Sequence, residues 1–207
     1  MSLASKQPVQ ILRKATLLEQ DAFEIRSLGA KGRGAIAKKD LQKGDLILKE
    51  APLLIITRED LGRYTDEDIE QRLAELPERD QTHFWELFDA KLFESAGRGS
   101  AKSRVLTNSY PVEDELGEEA VAVFNTLARF NHSCVPNVHN SWDPEMAVET
   151  ICLTQDVPAG EELCTTYLDL FTIRHERQEE LSRRLKFQCT CQAPAAVMTY
   201  ITSDGMV

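Results

Sequence analysis

RFNHSCVPN, residues Arg129 to Asn137, packs two amides, an imidazole, a hydroxyl and a thiol around a single proline. The run before it, Gly117 to Phe130, carries Ala120, Val123, Phe124 and Leu127 at helical spacing and predicts a helix that stops where the polar residues begin. Beyond Phe130 no apolar period continues, so these groups have no solvent-facing stripe to occupy. Two readings stay open at this point. Either this is a polar turn at a helix end with Asn131 as the cap residue, or the side chains are held inside the molecule because some chemistry needs them.

Downstream, Val138 to Trp142 and Met146 to Leu153 read as strands joined by the turn Asp143-Pro144-Glu145. Asp156 to Gly160 is a second turn and Leu163 to Tyr167 a further strand. Thr172 to Leu185 is a charged amphipathic helix with Ile173, Leu181 and Leu185 inward. Upstream, Phe23 to Ser27, Ala35 to Ala37 and Leu46 to Ile56 are short β-type runs parted by glycine turns, which predicts a β-meander; Pro52 marks an edge strand or a break. From Arg58 to about Ala101 the chain turns charged and helical. Thr65 with Asp68 signals a helix start, and Ile69, Leu73 and Leu76 follow at helical spacing until Pro77. Phe84, Leu87, Phe88, Lys91 and Leu92 suggest a second helix, residues 96–100 a loop, and Arg104 to Val112 an extended segment.

The expected fold is therefore α+β, mainly β with a helical insert. Its divisions are a leader over residues 1–20, one domain over 21–191 and an atypical tail over 192–207. Within the domain, 21–57 form an N-terminal β part, 58–115 the helical insert, 116–171 a C-terminal β part and 172–191 a closing segment.

Composition narrows the function classes. A formal charge of -10 opposes the phosphate neutralisation that nucleic-acid binding needs, so no direct nucleic-acid contact is expected and a basic partner is favoured. There is no run of eighteen apolar residues and no charged-then-apolar start, so neither a membrane span nor a secretory signal is expected. The cysteines are five, an odd number, and all fall at or after Cys134, which reads as free thiols or metal ligands rather than a disulfide framework.

Taken singly, the motifs are plain. Lys31-Gly32-Arg33-Gly34 is either a tight hairpin or a place where backbone approaches a ligand; no GxGxxG opens a helix, so it is no dinucleotide fingerprint. Gly160-Glu161-Glu162-Leu163 leads a strand ending at Tyr167, and Cys189 and Cys191 form a CxC pair. In this order, however, GxG, NHSCxPN, GEELxxxY and CxC together resemble the SET-domain protein lysine methyltransferases over roughly Phe23 to Cys191. Tyr167-Leu168-Asp169-Leu170, the charged helix and Phe187-Gln188-Cys189 look most like the SMYD branch. With no cysteine before Cys134, the MYND zinc module of that branch is not expected.

The resemblance implies small twisted sheets around a knot-like C-terminal crossing, a protein-lysine N-methyltransferase activity, and S-adenosylmethionine as cofactor. By similarity, Asn131 and His132 hold the cofactor, the backbone of Lys31, Gly32, Arg33 and Gly34 lines the same pocket, and Asn108 and Phe187 add contacts. Tyr167 matches the catalytic tyrosine, and also lines the cofactor pocket. Thr165 falls where the family sets methylation degree; its small size leaves room for di- or trimethylation. Zinc is the candidate second cofactor, held by Cys134, Cys189 and Cys191, an incomplete set because Pro194 stands where the fourth cysteine belongs. The expected partner is a lysine-containing protein such as a histone tail, the chain acting as a monomer in nucleus or cytoplasm. The alternative is a non-catalytic SET-like module that binds basic peptides.

Overall fold

The computed structural model describes residues 21–90, 99–169 and 171–191. The first part runs β1 (Phe23–Ser27), β2 (Arg33–Ala37), β3 (Leu46–Glu50) and β4 (Leu54–Thr57). Helices α1 (Arg58–Arg63), α2 (Asp66–Ala74), α3 (Glu78–Trp85) and α4 (Ala101–Asn108) follow, then β5 (Ser109–Glu113) and β6 (Glu119–Val123). The last part is β7 (Asn131–His132), β8 (Val138–Asp143), β9 (Val148–Leu153), β10 (Glu162–Thr165) and α5 (Arg174–Leu185). They form three small sheets, ordered β1-β2-β10-β7, β3-β9-β8 and β4-β6-β5. The α+β architecture, mainly β with a helical insert, is the one expected.

The break at Pro52 separates two sheets. β3 pairs with β9 and β4 with β6, so after the β1–β2 hairpin the expected meander does not continue. Helix α2 starts as its sequence signals: Thr65 and Asp68 form a reciprocal capping box, and Ile69 and Leu73 are buried. α3 begins earlier than expected, directly after Pro77. It buries Phe84 but ends before Leu87, and Phe88 stands half out in solvent. The expected leader, Lys91, Leu92, residues 96–98 and the tail lie outside the described residues.

Two further expectations are overturned. Gly117 to Phe130 is not a helix; it holds strand β6 and a 3₁₀ turn over Leu127–Arg129. Ala120 and Ala122 face one apolar cluster while Val121 and Val123 face the other, so the strand is buried on both sides. A doubly buried strand reads as a continuous apolar run, and the period that distinguishes it from a helix is absent. Arg104 to Val112 is not extended throughout: its first half belongs to α4, whose start is capped by Ser100 accepting from Ser103 N.

The site is positioned from beneath by Glu50 at the end of β3. This carboxyl is 7% exposed and accepts the backbone N–H of Thr126 at 2.8 Å and of Leu127 at 2.9 Å. It thereby fixes the turn that delivers Phe130 and Asn131. Phe130 is fully buried, edge-on to Phe23 at 5.2 Å between ring centroids, which anchors the start of β7 to β1.

Candidate functional site

β7 lies parallel to β10, pairing Asn131 with Cys164 and His132 with Thr165. Residues 133–137 then fold along the same strand. Ser133 N donates to Thr165 O, and Asn137 N to Cys164 O. The Asn137 amide completes the attachment: its Oδ1 accepts from Cys164 N at 2.7 Å and its Nδ2 donates to Glu162 O at 2.9 Å. Asn137 thus supplies ladder bonds that a strand backbone would otherwise make, and its burial makes each of them costly to lose.

On one side of this loop lies the GxG turn. Asn131 Nδ2 donates to Arg33 O at 3.1 Å and to Glu162 Oε1 at 2.7 Å, while Glu162 Oε2 pairs with Lys31 Nζ at 2.9 Å. That bond holds the Lys31 pKa above its ordinary value. Both amide hydrogens of Asn131 are thereby spent, and its Oδ1 remains as an acceptor. A Cβ on Gly34 would come within 2.8 Å of Asn131 Nδ2 and 2.9 Å of Glu162 Oε1, so the backbone approaches Asn131 as only glycine permits. Gly32 turns the chain at φ 77°, a left-handed conformation suited to glycine. Arg33 pairs with Glu86 at 2.7 Å.

On the other side, His132 sits between Tyr167 and the thiols. Tyr167 N donates to His132 Nδ1 at 3.1 Å. A backbone N–H can only donate, so the neutral ring carries its proton on Nε2, which faces Cys134 Sγ at 3.3 Å. Burial, reinforced by the Arg177 charge, lowers the His132 pKa to about 4 and keeps it neutral. The Tyr167 hydroxyl donates to Phe130 O at 2.8 Å. Its pKa is pushed up, chiefly by burial and then by the charges of Cys164 and Glu162. It therefore stays a neutral phenol with its oxygen lone pairs free.

The sulfurs gather where the chain returns after α5. Lys186 adopts a left-handed conformation at φ 59°, and Phe187 follows with its ring 6.2 Å from that of His132. Cys134 Sγ lies 3.9 Å from Cys189 Sγ, Cys189 Sγ 2.9 Å from Cys191 Sγ, and Cys134 N donates to Cys191 Sγ at 3.4 Å. Burial raises the Cys134 pKa and pushes Cys189 up to about 12, so these two thiols stay protonated without a metal. Tetrahedral zinc spaces its sulfurs about 3.8 Å apart, close to the Cys134–Cys189 spacing, while the Cys189–Cys191 pair at 2.9 Å has to open for both to bind one ion. Three thiolates on a divalent ion leave one negative charge, and Arg177, 3% exposed and hydrogen-bonded to the Cys134 side chain, balances it. The donor set fits zinc. His132 also lies in this cluster, within 4.8 Å of Cys134 and Cys189. Yet the nitrogen it presents carries a proton, which makes it an outer donor to a thiolate rather than a fourth ligand.

A SET domain model matches residues 32–168, which takes in the GxG turn, NHSC and Tyr167. The chain belongs to the SET-domain family. It is 31% identical over 173 residues to the histone-lysine N-methyltransferase set5 of Schizosaccharomyces pombe, covering 84% of this chain and 50% of that relative. It is 34% identical over 91 residues to the human N-lysine methyltransferase SMYD2, and 31% over 93 residues to the mouse histone-lysine N-methyltransferase SMYD3, covering 44% of this chain and 21% of each relative. The chain spans about half the length of the fission-yeast relative and about a fifth of the SMYD proteins.

Within this SET domain, the structure brings together Lys31, Arg33, Gly34, Asn131, His132, Tyr167, Phe187 and the three cysteines. Asn108 is engaged elsewhere: its Nδ2 donates to Phe88 O and Arg104 O at the end of α4, and neither bond reaches Asn131 or His132. Thr165 is buried at 1% exposure and points to Asn140, to which it donates at 3.1 Å. Asn137 and Glu162 stand in the quoted motifs without a role assigned to them, and Glu50 and Arg177 were not singled out in the sequence. Arg177 had a legible signal, since it precedes Leu181 and Leu185 at four-residue steps on the inward stripe of α5.

Proposed function

We propose that the chain is an S-adenosylmethionine-dependent protein-lysine N-methyltransferase. The observation that carries this reading is the convergence of Gly34, Asn131 and Tyr167 on β2, β7 and the end of β10. Asn131 keeps Oδ1 as a free acceptor, which suits the ammonium of an amino-acid cofactor. The GxG backbone passes close beside it, and Phe187 offers a half-buried aromatic surface for a purine ring. Bound there, the cofactor supplies a methyl group on a sulfonium.

The residues then have separable tasks. A lysine amine must shed a proton before it attacks, which costs about 4.6 kcal/mol at neutral pH from its ordinary pKa; enclosure and the adjacent sulfonium charge lower that cost. Tyr167, its hydrogen committed to Phe130 O, turns oxygen lone pairs toward the amine and methyl and orients them. His132 fixes the Tyr167 backbone through Nδ1. Thr165, being small, leaves space for more than one methyl. Cys134, Cys189 and Cys191 hold zinc, which ties the segment bearing Phe187 against the NHSC loop, with the fourth position taken by water or another side chain.

The substrate is a lysine-bearing protein drawn to an acidic surface. Histones are the first candidates, as the name of the fission-yeast relative suggests, and the site of action is nucleus or cytoplasm. Asn108, with both amide hydrogens committed at the end of α4, has its Oδ1 to offer a cofactor. The test is methyl transfer from labelled S-adenosylmethionine to recombinant core histones. Wild-type transfer with loss in Tyr167→Phe supports the enzyme. Cofactor-independent peptide binding without transfer supports the rival, a non-catalytic module for basic peptides.

A further inference from the structure

β5 and β8 are each the outer strand of their own sheet. Where they meet, a cleft of about 510 Å³ is lined by Pro111 and Glu113 of β5, Glu119 of β6, Arg58 of α1 and, from the other sheet, Trp142 of β8 and Pro144 just beyond it. Its charges do not balance. Glu113 and Glu119 stand directly opposite each other at the end of the β5–β6 register, an arrangement that repels. Arg58 Nε pairs with Glu119 at 3.0 Å. Glu113 is exposed, and its carboxylate has neither an ion pair nor a hydrogen bond among the described residues.

The facing wall is aromatic. Trp142 packs against Phe124 with ring centroids 6.4 Å apart, and its Nε1 is buried with no partner among the described residues. Buried donors left in that state are rare, and this one belongs to a residue of the cleft wall. Opposite Trp142 in the β8–β9 register, Glu149 is 2% exposed, its pKa raised to about 7 by burial and its Oε1 taken by Asn140. The charge offered to the cleft is therefore that of Glu113.

β5 leads from this cleft to the methyl-transfer site. The Tyr110 hydroxyl donates to Leu127 O at 3.5 Å and the Tyr167 hydroxyl to Phe130 O at 2.8 Å. Leu127 O also accepts from Phe130 N at 3.0 Å, so both phenols are tied to one turn. From Tyr110 to Glu113 the strand advances three residues, about 10 Å at its usual rise. An extended peptide covers that distance in three residues too.

We propose that this cleft takes the guanidinium of an arginine about three residues from the target lysine of a protein substrate, with Glu113 as its ion-pair partner and the face of Trp142 beside it. The inference rests on the methyltransferase reading. A planar guanidinium stacks on an indole and gives a carboxylate two parallel N–H donors, while its methylene stem lies along Pro111 and Pro144. A carbonyl of the same peptide is the acceptor that the indole Nε1 lacks. A divalent ion fits worse, because Arg58 repels it and the Trp and Pro wall supplies no oxygen ligand.

The experiment reads binding and transfer on one set of short fluorescein-labelled peptides of Ser, Ala and Gly, each with a central lysine and one arginine moved stepwise from four residues before it to four after. Anisotropy gives the affinity, and labelled S-adenosylmethionine gives the transfer. Affinity peaks with the arginine about three residues from the lysine, about tenfold above the peptide without arginine, the factor that a cation–π contact and an ion pair supply together. kcat/KM follows through KM alone. Glu113→Gln flattens the peak, and Glu113→Lys moves the preference to a peptide with glutamate in that place; Glu113 is exposed and unpaired, so both variants fold. A profile with no peak, or a peak that survives Glu113→Gln, overturns the inference. Transfer neither to these peptides nor to recombinant core histones overturns the methyltransferase reading instead, and anisotropy still decides whether the cleft holds an arginine.

Discussion

The two sides of the NHSC loop are built on different principles. Toward the GxG turn, every donor of Asn131 is met by the chain's own acceptors, and Gly34, Glu162 and Lys31 lock around it. Toward α5, three thiols face one another, with the pKa values of Cys134 and Cys189 raised, beside a buried guanidinium. The first side is complete as folded and has a shape to offer a ligand. The second is a set of donors whose best partner is an ion. Geometry on one side is thus a property of the fold, and on the other a property of fold and metal together.

That contrast can be broken most severely at Tyr167, which touches both sides through His132. Tyr167→Phe removes the hydroxyl that reaches Phe130 O and lowers methyl transfer about 10²–10³-fold while leaving the cofactor affinity unchanged. Equal losses in transfer and in cofactor affinity, measured by single-turnover kinetics and calorimetry, would contradict a role confined to orientation. Gly34→Ala attacks the first side alone. Its added Cβ meets Asn131 and Glu162 inside contact distance, so cofactor affinity drops about 100-fold by calorimetry while zinc content by elemental analysis stays at the wild-type level; a parallel loss of zinc would show that the two sides are not separate.

A third experiment works on the wall behind the first side. Between pH 4.5 and 7 the folded protein holds a proton on Glu149 that the unfolded chain has already released. Stability therefore falls as pH rises across that window, by about 3 kcal/mol for this group. Glu50, whose pKa burial also raises, adds to the same slope. Urea unfolding at pH 5 and pH 7.5 checks the sign, and Glu149→Gln should flatten the slope; stability rising with pH in wild type would refute the assignment. The second side gives a smaller effect. Chelation of zinc lowers stability by about 2–3 kcal/mol, the mass-action gain of an ion at about a hundred times its dissociation constant. Cys189→Ser reproduces that loss, and a chelator that shifts no melting curve would mean the sulfurs bind no ion.

What could be foreseen differs along the chain for physical reasons. The α2 cap was legible because Thr65 and Asp68 interact within one turn. β8, β9 and α5 were legible because each has one wet face, which leaves a period in the sequence. β6 was not, since Ala120 to Val123 are buried on both faces and no polar residue marks the alternation. α4 was missed because its start signal, Ser100 with Ser103, is small and sits beside a glycine-rich stretch. At the site, the ordered motifs brought Asn131, His132, Tyr167 and the cysteines together by resemblance. Asn137 and Glu50 act through backbone N–H and C=O groups far along the chain, and Glu162 through the side chains of Lys31 and Asn131, and such bonds leave no mark in local spacing. The sequence also could not show that His132 turns a protonated nitrogen to Cys134, because that follows from a single bond to the Tyr167 backbone.

The most direct test of the account is calorimetric titration of the protein with S-adenosylmethionine. Wild type should bind one equivalent, and Asn131→Ala, which removes the free acceptor and the clasp to Arg33 and Glu162, should abolish the heat. Absence of binding by folded wild type at millimolar cofactor, or wild-type affinity in Asn131→Ala, would contradict it.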